Sequence, residues 1–69
     1  MTLNNKVRQA RTQLGLTQSE LGVKVSVTRQ TVAFIEKGEF APSVALALRL
    51  AQALNTPINE LFWLEETTQ

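Results

Sequence analysis

A chain of 69 residues with no Cys, no His and no Tyr has no disulfide framework and lacks most catalytic nucleophiles and general bases. No apolar run approaches the ~18 residues that span a membrane, and the start lacks the charged-then-apolar pattern of an export signal, so one cytoplasmic domain, 1–69, is expected. The net charge of +1 is unevenly spread: residues 1–59 hold all seven Lys and Arg against Glu20, Glu36 and Glu39, and residues 60–69 hold Glu60, Glu65 and Glu66.

Residues 1–3 are too few to classify. Asn4 or Asn5 can cap a first helix running to about Leu14, with Val7, Ala10 and Leu14 on one side at helical spacing. Gly15 ends it in the left-handed conformation, and Leu16 packs as the chain turns. Thr17 opens a second helix through a T-x-x-E capping box with Glu20; Leu21 and Val25 form its apolar stripe. A third helix, about 28–37, starts from a Thr28 cap with Thr31 three residues on, and turns Val32 and Ile35 inward. Two capped helices joined through Ser26-Val27 fit a helix-turn-helix over residues 17–36. Gly22 has no Cβ and lets the two helices approach closely.

At about 100° per residue, Ala33, Lys37, Gln30 and Phe34 lie within ~140° of Arg29 on one side of the third helix, and Val32 and Ile35 lie opposite. Phe34 is unusual on such a face; it either serves a partner or folds sideways onto the neighbouring helix. Gly38 ends the helix. EFAPS is a loop, and Ser43 caps a fourth helix whose Val44, Leu46, Ala47, Leu48, Leu50, Ala51 and Leu54 cover more than half its circumference. Arg49, Gln52 and Ala45 form its polar strip. Asn55 takes a left-handed position. Thr56 then caps a fifth helix with Pro57 at its first position, and Ile58, Leu61 and Phe62 form its apolar side. Residues 65–69 trail off and fray.

The motif resembles the helix-turn-helix of the lambda-repressor-like (Cro/C1-type, XRE) regulators. Gln18 stands at the family's first motif position and Gly22 at its fifth; Val27, Val32 and Ile35 match its apolar positions. The ninth, usually Gly, is Ser26. The likeness extends from about Asn4 to Leu64, and the segments APSVALALRLAQALN and TPINELFWL are typical of small stand-alone members. The implied fold is all-α, five helices, with a short terminal β pairing of Thr2-Leu3 against residues 63–66 at the dimer end. The implied function is a sequence-specific repressor that binds double-stranded DNA as a homodimer.

The resemblance also implies residue roles. Thr17 and Gln18 open the helix that crosses the DNA backbone, with Gln18 on phosphate. Thr28, Arg29 and Gln30 reach backbone and base edges, Ala33 and Phe34 a thymine methyl, and Lys37 and Arg8 phosphates. Arg29 either reads a base or only contacts phosphate. The loop after the third helix, often basic in phage relatives, is GEFAPS here, which implies a modest phosphate grip. Related repressors join the positions of Arg11 and Glu36 in a partly buried ion pair, and both residue types match. Ile58, Leu61, Phe62, Trp63 and Leu64 are too apolar to leave exposed and are expected to form the dimer contact, unless Trp63 folds back on its own core. The acidic end suits a face turned away from DNA, and equally a plain solvated tail. Alternatives within the same fold are an antitoxin or protein-interaction module, and a restriction–modification controller governed by its own concentration. An enzyme is disfavoured: no metal cluster, Gly-rich phosphate loop or nucleophile–base pair is visible, and nothing points to a cofactor or a small-molecule ligand.

Overall fold

The computed structural model describes residues 1–66. The elements run β1 (Thr2–Asn5), α1 (Val7–Gln13), α2 (Gln18–Val25), α3 (Arg29–Lys37), α4 (Val44–Ala53), α5 (Ile58–Leu61) and β2 (Phe62–Glu65). The helices make the body of the fold. The two strands pair antiparallel, with Thr2 opposite Glu65, Leu3 opposite Leu64, Asn4 opposite Trp63 and Asn5 opposite Phe62. The terminal pairing implied by the family resemblance is present and reaches further, through Asn4 and Asn5.

The helix starts follow from local chemistry. Thr17 Oγ1 accepts from the Glu20 N–H at 3.0 Å, and Glu20 Oε1 accepts from the Thr17 N–H at 2.8 Å, which completes the capping box. Thr28 and Ser43 cap α3 and α4 by accepting from the N–H groups of Thr31 and Leu46. Each such cap contributes about 1 kcal/mol. That matters for helices of 8, 9 and 10 residues, because isolated helices shorter than ~12–15 residues are marginal in water.

The turn between α2 and α3 pivots on Ser26, left-handed at φ 64° and ψ 40°. Gly22 lies against this turn. A Cβ there would stand 2.6 Å from the Val27 carbonyl oxygen, and the Val27 N–H donates to the Gly22 carbonyl at 2.9 Å. The close approach that the glycine permits is therefore realised. Beneath it Leu21, Val25, Val32, Ile35, Leu50 and Leu61 are sealed from solvent together with Val7. Burying each such Leu or Val stabilises by about 1.5–3 kcal/mol, so this cluster, drawn from all five helices, fixes the angle between α2 and α3.

Several boundaries differ from the sequence reading. Asn4 and Asn5 do not sit at a helix start; their backbones pair with β2, and α1 begins at Val7. The Asn5 side chain keeps a capping-like role, since its Oδ1 accepts from the Val7 N–H at 3.0 Å. Leu14 lies beyond the last residue of α1 and is half-exposed, not inward with Val7 and Ala10. Thr56 does not cap α5: its hydroxyl donates to the Leu54 carbonyl, and the helix starts at Ile58 with Pro57 outside it. Phe62 and Glu65 belong to a strand, not to a helix and a frayed tail. The fraying expected of residues 67–69 lies outside the described residues. On α4 Val44 and Leu48 face solvent, at 75% and 48% exposure, because α2 and α5 cover only the side carrying Leu46, Leu50 and Leu54.

Candidate nucleic-acid interface

Three helices converge on one open hollow of about 210 Å³. Arg8 and Arg11 come from α1, Gln18 from the first turn of α2, and Ala33, Glu36 and Lys37 from α3. Gln18 is placed there by the Thr17 cap immediately before it, and the burial of Val32 and Ile35 turns Ala33 and Lys37 outward, with Glu36 at the edge of the buried side. Three cations surround one carboxylate, so the hollow suits an anion.

The carboxylate is held firmly. Arg11 Nε donates to Glu36 Oε2 at 2.6 Å, and Arg11 Nη2 donates to Glu36 Oε1 at 3.2 Å. The third arm of the guanidinium, Nη1, donates to the Leu16 carbonyl at 2.9 Å. The side chains are only 11% and 5% exposed, so the ion pair expected from the resemblance is present and buried. Glu36 Oε1 also accepts from Gln18 Nε2 at 3.1 Å. The sequence reading did not include this bond; the signal available was that Glu36 falls only about 20° from Arg29 on the helical projection, on the side that α2 approaches. Asn5 was also missed: its Nδ2 donates to the Ile35 carbonyl at 3.0 Å and ties the end of α3 to β1.

The remaining candidate residues divide into groups. Thr17 and Thr28 are exposed caps whose oxygens already accept backbone N–H groups. Arg29 and Gln30 project from the first turn of α3 into solvent, with no ion pair or hydrogen bond among the described residues. Phe34 is 39% exposed on the same helix, so part of its ring is open to solvent. Lys37 and Arg8 are brought together at the hollow although 29 positions separate them in sequence.

The apolar residues near the C-terminus are not brought into one patch. Leu61 is fully buried in its own core, with Ile58 and Phe62 partly buried against it. Trp63 and Leu64 are exposed, at 41% and 62%. Because successive strand residues alternate in direction, these two leave β2 on opposite faces. Among the described residues no helix is long and apolar enough to cross a membrane, and no group of His, Cys, Asp or Glu is placed to hold a metal ion.

A family model described as helix-turn-helix matches residues 7–61. The chain is similar to a protein of Bacillus subtilis (strain 168) named as an uncharacterized HTH-type transcriptional regulator, YgzD, with 48% identity over 64 residues, 93% of this chain and 97% of that one. A Methanothermobacter thermautotrophicus protein, also named as an uncharacterized HTH-type transcriptional regulator, is 49% identical over 61 residues, 87% and 88% of the two chains. Among solved structures, the restriction-modification controller protein C.AhdI from Aeromonas hydrophila superposes with a TM-score of 0.75 at 36% identity, covering 81% of each chain.

Proposed function

The chain belongs to the XRE-type helix-turn-helix family of transcriptional regulators, and from that premise we propose that it is a homodimeric repressor that reads an inverted-repeat operator with α3. The observation that carries this reading is the cationic hollow shared by α1, α2 and α3, set beside the unpartnered Arg29 and Gln30. In this docking α3 lies in the major groove and α2 crosses the backbone. A backbone phosphate seated in the hollow meets Arg8, Lys37 and the Gln18 amide. Arg29 and Gln30 reach base edges, where Arg pairs bidentately with guanine and Gln with adenine. Ala33 and Phe34 supply apolar contact for a thymine methyl. The chain works by binding, as one domain without catalysis.

Two-fold pairing is supported by apolar side chains left uncovered: Trp63 and Leu64 on the two faces of β2, and Val44 and Leu48 on α4. Leu48 and Ile58 also border one open hollow, so the apolar surface at Leu48 continues from α4 to α5. The likeness to a restriction-modification controller supports the variant reading in which the protein's own concentration sets its occupancy of DNA. The exposure of Phe34 favours a second reading, a module that grips another protein through α3. Selection of bound fragments from random DNA, followed by a salt titration, separates the two. A repressor returns an inverted repeat and loses affinity steeply with salt as phosphate contacts release counterions; a protein-interaction module returns no enriched sequence.

A further inference from the structure

We propose that Glu36 is a positioning residue for the DNA contact of Gln18, and that Arg11 makes this carboxylate tolerable beside a polyanion. The inference rests on the DNA-binding reading above and adds a mechanism to it. A carboxylate on the wall of a phosphate-binding hollow has the wrong sign for its neighbour. If structure alone required the Arg11–Glu36 pair, two packed apolar side chains would serve as well, without the adverse charge.

The bonding of Glu36 indicates what the carboxylate does there. Oε2 takes Arg11 Nε, and Oε1 takes both Arg11 Nη2 and Gln18 Nε2. A carboxylate oxygen can only accept, so the amide must present nitrogen, not oxygen, to Glu36. This fixes the Gln18 side chain at both ends: the backbone in the first turn of a capped helix, the amide on a buried anion. The second N–H of Nε2 has no partner among the described residues, and Gln18 lines the hollow beside Arg8 and Lys37. That N–H is the donor offered to a phosphate oxygen. A free glutamine surrenders rotamer entropy when it binds; one held in place beforehand surrenders less.

The test is a mutant cycle on operator affinity. Gln18→Ala is made in the wild-type chain and in the Arg11→Met/Glu36→Leu chain, whose apolar pair leaves no buried charge unmatched. Each protein is titrated with the duplex that wild-type protein selects from random DNA. Comparing ratios within each background cancels the general effect of altering two charges near DNA. Gln18→Ala is expected to weaken binding at least about 10-fold in the wild-type background and less than about 3-fold in the apolar-pair background. Equal losses in both overturn the proposal. A wild-type chain that selects no DNA overturns the DNA-binding reading itself, and this inference with it, before any variant is compared. Should the apolar-pair chain fail to fold, the wild-type protein alone decides, by 15N relaxation of side-chain amides. Gln18 Nε2 is expected to be nearly as ordered as the backbone; mobility equal to that of the exposed Gln13 overturns the proposal.

Discussion

Arg11 and Glu36 meet as a fork, Nε to Oε2 at 2.6 Å and Nη2 to Oε1 at 3.2 Å, across the junction of α1 with α3. With both side chains largely withdrawn from solvent, the weak regime of surface pairs, ~0–1 kcal/mol, does not apply. Removing one partner leaves the other charged and buried. Arg11→Ala is therefore expected to cost about 3–5 kcal/mol, and Arg11→Met/Glu36→Leu far less. Urea unfolding monitored by circular dichroism measures both; an Arg11→Ala midpoint equal to that of wild type would refute the buried pair.

Gly22→Ala sets two effects against each other. Alanine is favoured over glycine inside a helix by about 1 kcal/mol. The new Cβ, however, would stand 2.6 Å from the Val27 carbonyl oxygen, and within 3.4 Å of the backbone of Thr28 and Arg29. The obstructing atoms are main chain of the turn, so they cannot swing aside, and overpacking of this kind costs about 1–3 kcal/mol. The clash is expected to win. A Tm several degrees below wild type is the expected outcome, since each 1 kcal/mol shifts Tm by ~4–8 °C in a domain of this size. A Tm above wild type would show that the helices can separate freely.

Ser26 holds φ 64°, a region that costs an L-residue other than glycine about 1–2 kcal/mol. Ser26→Gly removes this strain but gives the unfolded chain more freedom, worth about 0.4–1 kcal/mol in the other direction. The balance favours glycine slightly. Ser26→Val, with a branched Cβ in the same region, is expected to lower Tm by several degrees. Thermal denaturation of the two variants side by side decides the point, and a glycine variant less stable than the valine one would contradict the left-handed turn.

What the sequence made legible was local. The T-x-x-E box and the four-residue spacing of Leu21 and Val25 lie within α2 itself, so its start and inner side could be read from adjacent residues. Arg11 and Glu36 lie 25 positions apart and were paired only through the family resemblance. The strands, too, were expected only through the resemblance: TLNN has no alternation of apolar and polar residues, and its partner lies at the other end of the chain. Once Phe62 enters that strand, the helical grouping of Ile58, Leu61 and Phe62 no longer extends to Trp63 and Leu64. The exposure of Val44 and Leu48 was hidden, because a helix apolar around most of its circumference does not say which side its neighbours will cover.

The dimer proposal separates residues that a helical reading grouped together. Leu64→Glu changes an exposed strand position and is expected to leave the fold intact while shifting the protein to monomer. Leu61→Glu places a charge in the sealed core and is expected to unfold the chain. Sedimentation velocity at micromolar concentration, with circular dichroism on the same samples, reads both. Folded Leu64→Glu and Leu48→Glu chains that sediment as wild type would remove both positions from the interface.

The last prediction concerns how bases and phosphates are divided between residues. Arg29 stands in the first turn of α3, the end that approaches base edges in this motif, and has no internal partner among the described residues. Lys37 stands in the last turn, on the wall of the hollow with Arg8 and Gln18, where the groove edge is phosphate. The two cations should therefore fail differently. Arg29→Ala is expected to relax preference at one base pair in each half-site, at a cost of about 1–3 kcal/mol on the preferred operator. Lys37→Ala is expected to weaken all duplexes alike and to lower the slope of log affinity against log salt by about 1 for each half-site. Affinities measured on the selected operator and on single-base variants, across a range of salt, give both quantities from one data set. If Arg29→Ala flattens the salt slope and keeps the base preference, Arg29 contacts only phosphate, and base reading passes to Gln30 and the apolar pair Ala33 and Phe34.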